Sequence, residues 1–136
     1  MNTLTNKLSR TLNTFSAPAG RFLLASIFIM SGLNKISAYT GTQGYMEAMG
    51  VPGALLPIVI ALEVLGGIAI VIGWQARFVA LALAGFSVVS AALFHADFSN
   101  QMQMMMFMKN LTIAGGFLMI VTHGAGAYSL DRRRAA

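Results

Sequence analysis

The sequence predicts an all-α integral membrane protein in which four helices form one bundle. Of its 136 residues, 57% are hydrophobic and 10% are charged, whereas about 25% of the residues in an average soluble domain are charged. The chain also has four apolar segments that approach the length of about 20 residues that a helix needs to cross a bilayer. A soluble domain of this size could not bury so much apolar surface, so we expect lipid as its solvent.

Residues 1–19 precede the first apolar segment, and we expect them to lie on the cytoplasmic side. Four apolar residues recur there at helical spacing beside two basic ones: Leu4, Leu8, Leu12 and Phe15, with Lys7 and Arg10. The pattern fits an amphipathic helix at the membrane interface, and it equally fits a disordered tail. A cleaved signal peptide is disfavoured because no small-residue cleavage site follows a short apolar run.

Residues 20–123 form the predicted transmembrane domain. Its spans lie approximately at residues 22–36, 54–72, 77–94 and 107–123. Glycine and alanine residues recur in all four spans, as expected where membrane helices approach closely. A long loop with several Gly and Pro residues separates the first two spans. The next two are joined by the tight turn "GWQAR", the third connection opens with "ADFSNQMQ", and residues 124–136 form a basic cytoplasmic tail.

The basic residues predict the orientation of the bundle. With a cytoplasmic N-terminus, seven of them lie inside: Lys7, Arg10, Arg21, Arg77, Arg132, Arg133 and Arg134. Only Lys35 and Lys109 lie on the outer side. This positive-inside asymmetry places both termini in the cytoplasm. The basic residues form no single face interleaved with aromatic residues, which excludes nucleic acid as a partner.

Three charged residues lie inside the predicted spans, namely Lys35, Glu63 and Lys109. At about 1.5 Å per helical residue, Glu63 lies about 14 Å below the outer edge of a hydrocarbon core about 30 Å thick. The same count puts Lys35 about 10 Å and Lys109 about 8 Å below that edge. A carboxylate at mid-membrane costs about 3 kcal/mol or more, so Glu63 is a functional candidate. We expect Glu63 to pair with Lys35, Lys109 or both in the outer half of the bundle.

Neighbouring polar residues extend this candidate site. Glu63 shares a helical face with Gly66 and Gly67, which favours a packed interior over lipid. Glu63 is the candidate for proton handling, and five residues are candidates for ligand binding: Lys35, Lys109, His95, Asn34 and Asn110. Two interpretations remain open. In the first, the ion pair only fixes the register of the helices. In the second, the site binds a ligand or a proton.

No tightly bound metal or haem is expected. The absence of cysteine excludes a Cys-based zinc site or an Fe–S cluster supplied by this chain. His95 and His123 lie at opposite ends of the predicted bundle, so they cannot ligate one haem. Five methionines fall within seven residues, at positions 102, 104, 105, 106 and 108. With His95 they could bind Cu(I), although methionine is also an adaptable apolar filler.

From about Gly20 to Asp131 the chain resembles the DoxX family of small bacterial membrane proteins. The resemblance rests on "SGLNK", "GTQGYMEAMGVPG", "ALEVLGGIAIVIG", "LFH", "MFMKNLTIAGGFL" and "GAGAYSLD", and on the arginine that opens the third span. It implies a four-helix bundle in the bacterial inner membrane and an association with redox chemistry. Family members are linked to terminal quinol oxidase, to thiosulfate:quinone oxidoreductase systems and to oxidative-stress complexes.

The function we expect is that of a quinone- or quinol-interacting accessory subunit of a redox or oxidative-stress system. Such a chain has no cofactor of its own. If it takes part in catalysis, it does so as an oxidoreductase subunit. A redox partner protein would then exchange the electrons. Lys35 or Lys109 would donate to a quinone carbonyl and Glu63 would handle a proton. A non-catalytic assembly subunit and a small-solute or proton-coupled transporter acting as a homodimer are the alternatives. The lipid bilayer is a partner in every case.

Overall fold

The computed structural model describes residues 2–135, and these residues form helices and turns without a strand. The α-helices are α1 (Thr3–Ser37), α2 (Tyr39–Ala48), α3 (Leu56–Ile72), α4 (Ala76–Phe94), α5 (Gln101–His123) and α6 (Leu130–Ala135). A single 3-10 turn, Gly53–Leu55, leads into α3. Four helical segments are long and apolar enough to cross a membrane, and α1, α3, α4 and α5 supply them. The predicted all-α membrane bundle is therefore confirmed.

The four long helices associate as two pairs. Helix α1 packs along α3 and α4 packs along α5, whereas α3 and α4 make fewer contacts and α1 and α5 make very few. Phe28 of α1 lies at the centre of the core. Its ring meets that of Phe117 edge-on at 5.4 Å and that of Phe86 at 6.4 Å. The sparse α1–α5 seam leaves room for cavities, which occur on both sides of this aromatic cluster.

Glycines allow α1 and α3 to approach closely. A Cβ atom added at Gly67 of α3 would lie 2.6 Å from Cγ1 of Ile29 and 3.3 Å from the carbonyl oxygen of Ala25. One added at Gly32 of α1 would lie 2.5 Å from Cγ2 of Val64. Both positions lie on the contact between the two helices. Small residues there shorten the distance between the helix axes, as is common in membrane helix pairs.

The N-terminal segment continues the first span. Residues 3–19, for which both an amphipathic helix and a disordered tail were considered, are helical and belong to α1, with Pro18 inside the helix. At about 1.5 Å per residue, α1 is about 52 Å long and exceeds a hydrocarbon core of about 30 Å. Its first four turns therefore extend beyond the core. The apolar side chains of this part are exposed: Leu4, Leu8, Leu12 and Phe15.

The connection between the first two spans differs from the predicted loop, because it contains α2. Tertiary contacts explain how a glycine-containing segment becomes helical, since such contacts routinely override local propensity. Met46 is buried, and Nε2 of Gln43 donates to the carbonyl oxygen of Gly53 at 3.2 Å. The ring of Tyr45 stacks on that of Phe94 at 5.5 Å. Helix α2 therefore lies over one end of the bundle, which we call the α2 side; the opposite end is the termini side.

The last span also begins earlier than predicted, at Gln101 instead of residue 107. Asn100 is its N-cap, and its Oδ1 accepts from the backbone N–H groups of Met102 (2.9 Å) and Gln103 (3.3 Å). Asparagine is among the best N-cap residues, and Met and Gln are good helix formers. The methionine-rich stretch is therefore the first part of α5 and not part of a loop.

On the termini side, the buried Arg21 joins three parts of the chain. Its Nη1 donates to the carbonyl oxygens of Ile70 (3.2 Å) and Val71 (2.7 Å) near the end of α3. Its Nη2 donates to those of Ala127 and Tyr128, both at 2.8 Å. The last carbonyls of a helix need such donors, since they have no partner within the helix. Arg21 therefore fastens α1, α3 and the segment after α5 together.

The C-terminal segment is consequently part of the fold, although the sequence indicated only a basic tail. The Asp131 carboxylate accepts from the backbone N–H groups of Gln75 (2.8 Å) and Ala76 (2.7 Å), at the start of α4. Arg77 Nη1 donates to the carbonyl oxygens of Val121 and Thr122, both at 3.1 Å, at the end of α5. In these contacts, side chains from distant parts of the sequence form hydrogen bonds with the backbone groups at helix termini. Local sequence patterns therefore did not reveal them.

Gly67→Ala should destabilise the bundle. The new methyl group would force α1 and α3 apart, and overpacking of this kind costs about 1–3 kcal/mol, which exceeds the gain of about 1 kcal/mol in helix propensity. Gly85→Ala is the matched control, because a Cβ atom there meets nothing within 4 Å. Thermal unfolding in detergent should show a lower midpoint for Gly67→Ala and an equal or higher one for Gly85→Ala. Equal shifts in both variants would contradict the close approach of the two helices.

Candidate functional site

A buried ion pair connects α1 and α3 on the α2 side of the bundle. Nζ of Lys35 donates to Oε1 of Glu63 at 3.0 Å and to Oγ of Ser31 at 2.6 Å. Ser31 precedes Lys35 by one helical turn, so both side chains lie on the same face of α1. The Glu63 side chain is 4% exposed and that of Lys35 is 25% exposed. Glu63 is therefore the buried partner, and Lys35 reaches it from the rim.

The second oxygen of the Glu63 carboxylate, Oε2, is buried and has no hydrogen-bond partner among residues 2–135. Leaving a buried polar atom without a partner costs about 1–3 kcal/mol, and more for a charged group. Buried polar groups of this kind are rare in folded proteins, and each calls for an explanation. An arriving ligand that donates a hydrogen bond, or a proton, would satisfy Oε2.

Glu63 lines two adjoining cavities, with volumes of about 320 Å³ and 220 Å³. The larger, which we call the α2 cavity, lies between α3, α4 and the overlying α2. The smaller, which we call the α5 cavity, lies among α1, α4 and α5. Five residues line both of them: Lys35, Glu63, Phe86, Ser90 and His95. The ion pair therefore lies where the two cavities meet.

The two cavities differ in chemistry. Apart from the shared residues, the α2 cavity is lined mainly by apolar and aromatic side chains: Tyr45, Met46, Val51, Leu55, Val59, Val89, Leu93 and Phe94. The α5 cavity adds the polar residues Ser31, Ser87, Lys109 and Asn110. Ligand sites for small molecules commonly combine such an apolar lining with a few convergent polar groups. A ligand with a polar head and an apolar body would match both parts.

The structure brings four of the five predicted ligand-binding residues to these cavities. Lys35 and His95 line both, whereas Lys109 and Asn110 line the α5 cavity. His95 shares a hydrogen bond of 3.0 Å between its Nδ1 and Oε1 of Gln103. Asn34, the fifth candidate, is exposed and lines neither cavity, because it lies one residue before Lys35 and so on another face of α1.

Lys109 stands apart from the ion pair. Its Nζ donates to Sδ of Met106 at 3.5 Å, and among residues 2–135 the only ion pair is that of Lys35 with Glu63. Of the two predicted counter-charges, Lys35 is thus the one in contact with Glu63. Lys109 is exposed at the wall of the α5 cavity, and its ammonium group could donate to a ligand bound there.

Three serines at the site were not among the sequence candidates. Ser31 accepts from Lys35, Ser87 donates to the carbonyl oxygen of Leu83 at 2.8 Å, and Ser90 lines both cavities. The sequence does contain a signal for them, because Ser31 lies four residues before Lys35. Ser87 and Ser90 are three residues apart within an apolar span, which places them on one helical face.

Of the five methionines in the cluster at residues 102–108, Met106 lines the α5 cavity together with Glu63, and the other four line neither the α2 nor the α5 cavity. Met104, Met105 and Met108 line a separate groove on the outside of α5, and Lys109 lines the same groove. The positive charge of Lys109 disfavours a copper ion at this position. Among the described residues, no group of three or more His, Asp or Glu side chains is placed to hold a metal ion.

The sequence comparisons agree with the observed architecture. The DoxX family profile matches residues 17–96, which is more than half of the chain. This protein belongs to the DoxX family. The matched range contains Lys35, Glu63 and His95, and it ends before α5 begins.

Two proteins of Escherichia coli (strain K12) are similar to this DoxX-family chain over most of its length. The inner membrane protein YqjF is 54% identical over 112 residues, which cover 82% of this chain and 86% of YqjF. The inner membrane protein YphA is 36% identical over 120 residues, which cover 83% of this chain and 86% of YphA. No solved structure matches the chain.

A double-mutant cycle should show that Glu63 and Lys35 depend on each other. Lys35→Met alone leaves the buried Glu63 charge uncompensated and should cost about 3–5 kcal/mol, whereas Glu63→Gln leaves only the partly exposed Lys35 and should cost less. The double variant should recover much of the loss of Lys35→Met. Reversible unfolding in detergent measures each value. Lys109→Met is the matched control, and it should change stability little because Lys109 is exposed.

Two outcomes would contradict this coupling. If the effects of Glu63→Gln and Lys35→Met add without recovery, the two residues do not interact. If Lys109→Met destabilises the protein as much as Lys35→Met does, Lys109 is the counter-charge of Glu63.

Proposed function

We propose that this DoxX-family protein lies in the bacterial inner membrane and binds the headgroup of a quinone or quinol where the α2 and α5 cavities meet. In this role it is an accessory subunit of a redox or oxidative-stress system. The observation that carries the proposal is the buried Oε2 of Glu63, which has no hydrogen-bond partner among residues 2–135 although it adjoins two cavities. A quinol hydroxyl is a donor of the kind this oxygen lacks.

The polar groups around the cavities suit both redox forms of such a ligand. The carbonyl oxygens of a quinone accept hydrogen bonds, and Lys35, Lys109 and Ser90 can donate them. The hydroxyl groups of a quinol donate hydrogen bonds, and Glu63 Oε2 can accept one. A site that offers donors and an acceptor together can hold either form, with the ring rotated little between them.

The apolar lining of the α2 cavity suits the ring and the start of the tail. The stacked rings of Tyr45 and Phe94 form part of its wall, and aromatic pairs of this kind favour further offset stacking with a planar ring. The cavity holds about 320 Å³, within the range of small-molecule sites, which begins at about 300 Å³. The tail would leave the cavity for the surrounding lipid.

Proton exchange would be the chemical contribution of this chain. Reduction of a quinone to a quinol takes up two electrons and two protons, and oxidation releases both. In the proposal, a redox partner protein exchanges the electrons. Glu63 exchanges one proton with the ligand oxygen that it contacts, and the second proton passes between the other ligand oxygen and water on the α2 side. His95 follows the last residue of α4 and is half-buried beside both cavities. It can therefore relay the proton between Glu63 and the water on the α2 side.

The proposed location and orientation rest on the relatives and on the basic residues. YqjF and YphA are named inner membrane proteins. The positive-inside asymmetry supports a termini side in the cytoplasm, and in that orientation the quinone site would face the periplasm. A redox partner protein would then reach the site from the periplasmic half of the membrane.

Binding of a short-chain ubiquinol, kept reduced, to the purified protein in nanodiscs tests the proposal. Isothermal titration calorimetry should give saturable binding that Glu63→Gln weakens at least about tenfold, since one charge-assisted hydrogen bond contributes about 1.5–3 kcal/mol. Glu47→Gln is the matched control, because the same change there affects an exposed glutamate that lines neither cavity.

The alternatives predict different results in the same material. Equal binding in Glu63→Gln and the native protein, or no saturable binding at all, would contradict the proposal. If the stable double variant Glu63→Gln/Lys35→Met also retains its partner and its cellular role, the chain is an assembly subunit. Glu63-dependent solute flux into liposomes without quinone binding would instead identify a transporter.

A further inference from the structure

The termini side of the bundle has two further adjoining cavities, at the opposite end from Glu63. One, which we call the termini cavity, has a volume of about 650 Å³ and is lined by residues that include Arg77, His123 and Arg132. The other, which we call the α1–α5 groove, has a volume of about 720 Å³ and lies between two helices that make few contacts with each other. His123 lines both, so the groove continues into the cavity.

The termini cavity has an excess of positive charge. Arg77 and Arg132 line it, and its one carboxylate among the described residues is Asp131. Both oxygens of Asp131 already accept backbone N–H groups at the start of α4, at 2.8 and 2.7 Å. This carboxylate is therefore fixed at a helix terminus, and its single charge does not cancel the two arginines. A cavity with this balance attracts anions.

Arg77 also retains hydrogen-bond donors for an anion. A guanidinium group has five N–H donors, and the hydrogen bonds of Arg77 to Val121 and Thr122 use only Nη1. Its Nη2 and Nε lie beside Gly124, where an added Cβ atom would be 3.2 and 3.3 Å from them. The absence of a side chain at Gly124 leaves this edge of the guanidinium accessible from the cavity. Two N–H groups along one edge match the oxygens of a phosphate.

The α1–α5 groove extends from this cationic cavity toward the middle of the bundle. Its walls are mostly apolar or without a side chain: Ala17, Gly20 and Leu24 from α1, and Gly116, Met119 and Ile120 from α5. Met119 is 59% exposed, so the groove opens sideways to the lipid. Arg21 also lines the groove, and its buried Nε has no hydrogen-bond partner among residues 2–135. The groove thus has an apolar length and a polar end.

We propose that these two cavities bind one anionic phospholipid. The lipid phosphate lies in the termini cavity against Arg77, Arg132 and an N–H of His123, and one acyl chain lies in the α1–α5 groove. Basic pockets between membrane helices bind anionic headgroups in this way. The site lies away from Glu63 and goes beyond the proposed quinone function. It does not depend on which side of the membrane holds the termini.

Lipid binding would also fill the gap between the loosely packed helices α1 and α5. Helices α1 and α5 meet at Leu24 and Gly116, where an added Cβ atom would lie 2.9 Å from Cδ2 of Leu24. Toward the termini side the groove separates them. An acyl chain in the groove would contact both helices and join the α1–α3 pair to the α4–α5 pair.

Native mass spectrometry of the delipidated full-length protein tests the headgroup site. Phosphatidylglycerol should bind about tenfold more tightly than phosphatidylcholine with the same acyl chains. Arg132→Gln should remove most of this preference. Arg134→Gln is the matched control, since it removes the same charge from α6 at an exposed position that lines neither cavity. Arg77 is left unchanged because it also caps α5.

Equal losses in the two arginine variants would overturn the site and indicate only general attraction to surface charge. Inorganic phosphate is titrated as a competitor to distinguish a lipid from a free anion. If phosphate at equal concentration displaces phosphatidylglycerol, the cavity takes a free anion and the lipid assignment is wrong. We expect phosphate to compete at least about a hundredfold more weakly, because it lacks the acyl chain.

Gly20→Leu tests the groove. A Cβ atom at Gly20 meets nothing within 4 Å, so the larger side chain can enter the groove without displacing protein atoms. It should weaken phosphatidylglycerol binding about tenfold and leave phosphate binding unchanged. Gly85→Leu is the matched control, with the same open space on α4. Ser16→Phe, one turn before Gly20, provides a second groove variant if the first lowers the yield. Unchanged lipid binding in a folded groove variant would overturn the proposal.

Discussion

The need to neutralise a carboxylate in the middle of an apolar helix determines the arrangement on the α2 side of the bundle. Glu63 is almost fully buried, so its charge requires a counter-charge within contact distance. Lys35 fulfils this requirement because α1 approaches α3 closely beside Gly32, where an added Cβ atom would lie 3.3 Å from Cβ of Glu63. The lysine engages only one carboxylate oxygen. The other remains available where two cavities meet, and this is the feature from which we infer a ligand site.

A different requirement determines the arrangement on the termini side. One end of each of α3, α4 and α5 lies there, and its backbone groups need hydrogen-bond partners from outside the helix. Arg21, Arg77 and Asp131 satisfy these groups and fold the C-terminal segment against the bundle. Because this end is held by many hydrogen bonds, the loosely packed α1–α5 seam and the cavities near Glu63 can exist without loss of the fold. Arg77 also lines the positive termini cavity together with Arg132, and Arg21 lines the α1–α5 groove beside it. Structural support and the proposed lipid site thus share Arg77 and Arg21.

Much of this organisation could be predicted from the sequence. The apolar lengths predicted four spans, and counting helical rise placed Lys35, Glu63 and Lys109 at similar depths. Depth alone could not decide which lysine pairs with Glu63, because that depends on helix neighbours: α1 packs along α3, whereas α5 packs along α4. Helix α2 was missed because its glycines favour a loop and only tertiary contacts, such as the burial of Met46 and the stacking of Tyr45 on Phe94, override them. The role of Arg21 was missed because its four acceptors are backbone carbonyls, which no residue pattern reveals.

Isotope-edited infrared spectroscopy can test directly whether Glu63 keeps one carboxylate oxygen for a ligand. The chain has two glutamates, so protein labelled with ¹³C at the glutamate carboxyl carbons gives signals from Glu47 and Glu63 only. The Glu63 signal is the one lost in Glu63→Gln. We predict that a saturating short-chain ubiquinol shifts this signal and leaves that of Glu47 unchanged. A Glu63 signal that stays the same when the ligand is bound would show that the carboxylate does not contact the ligand, and would contradict a ligand site at Glu63.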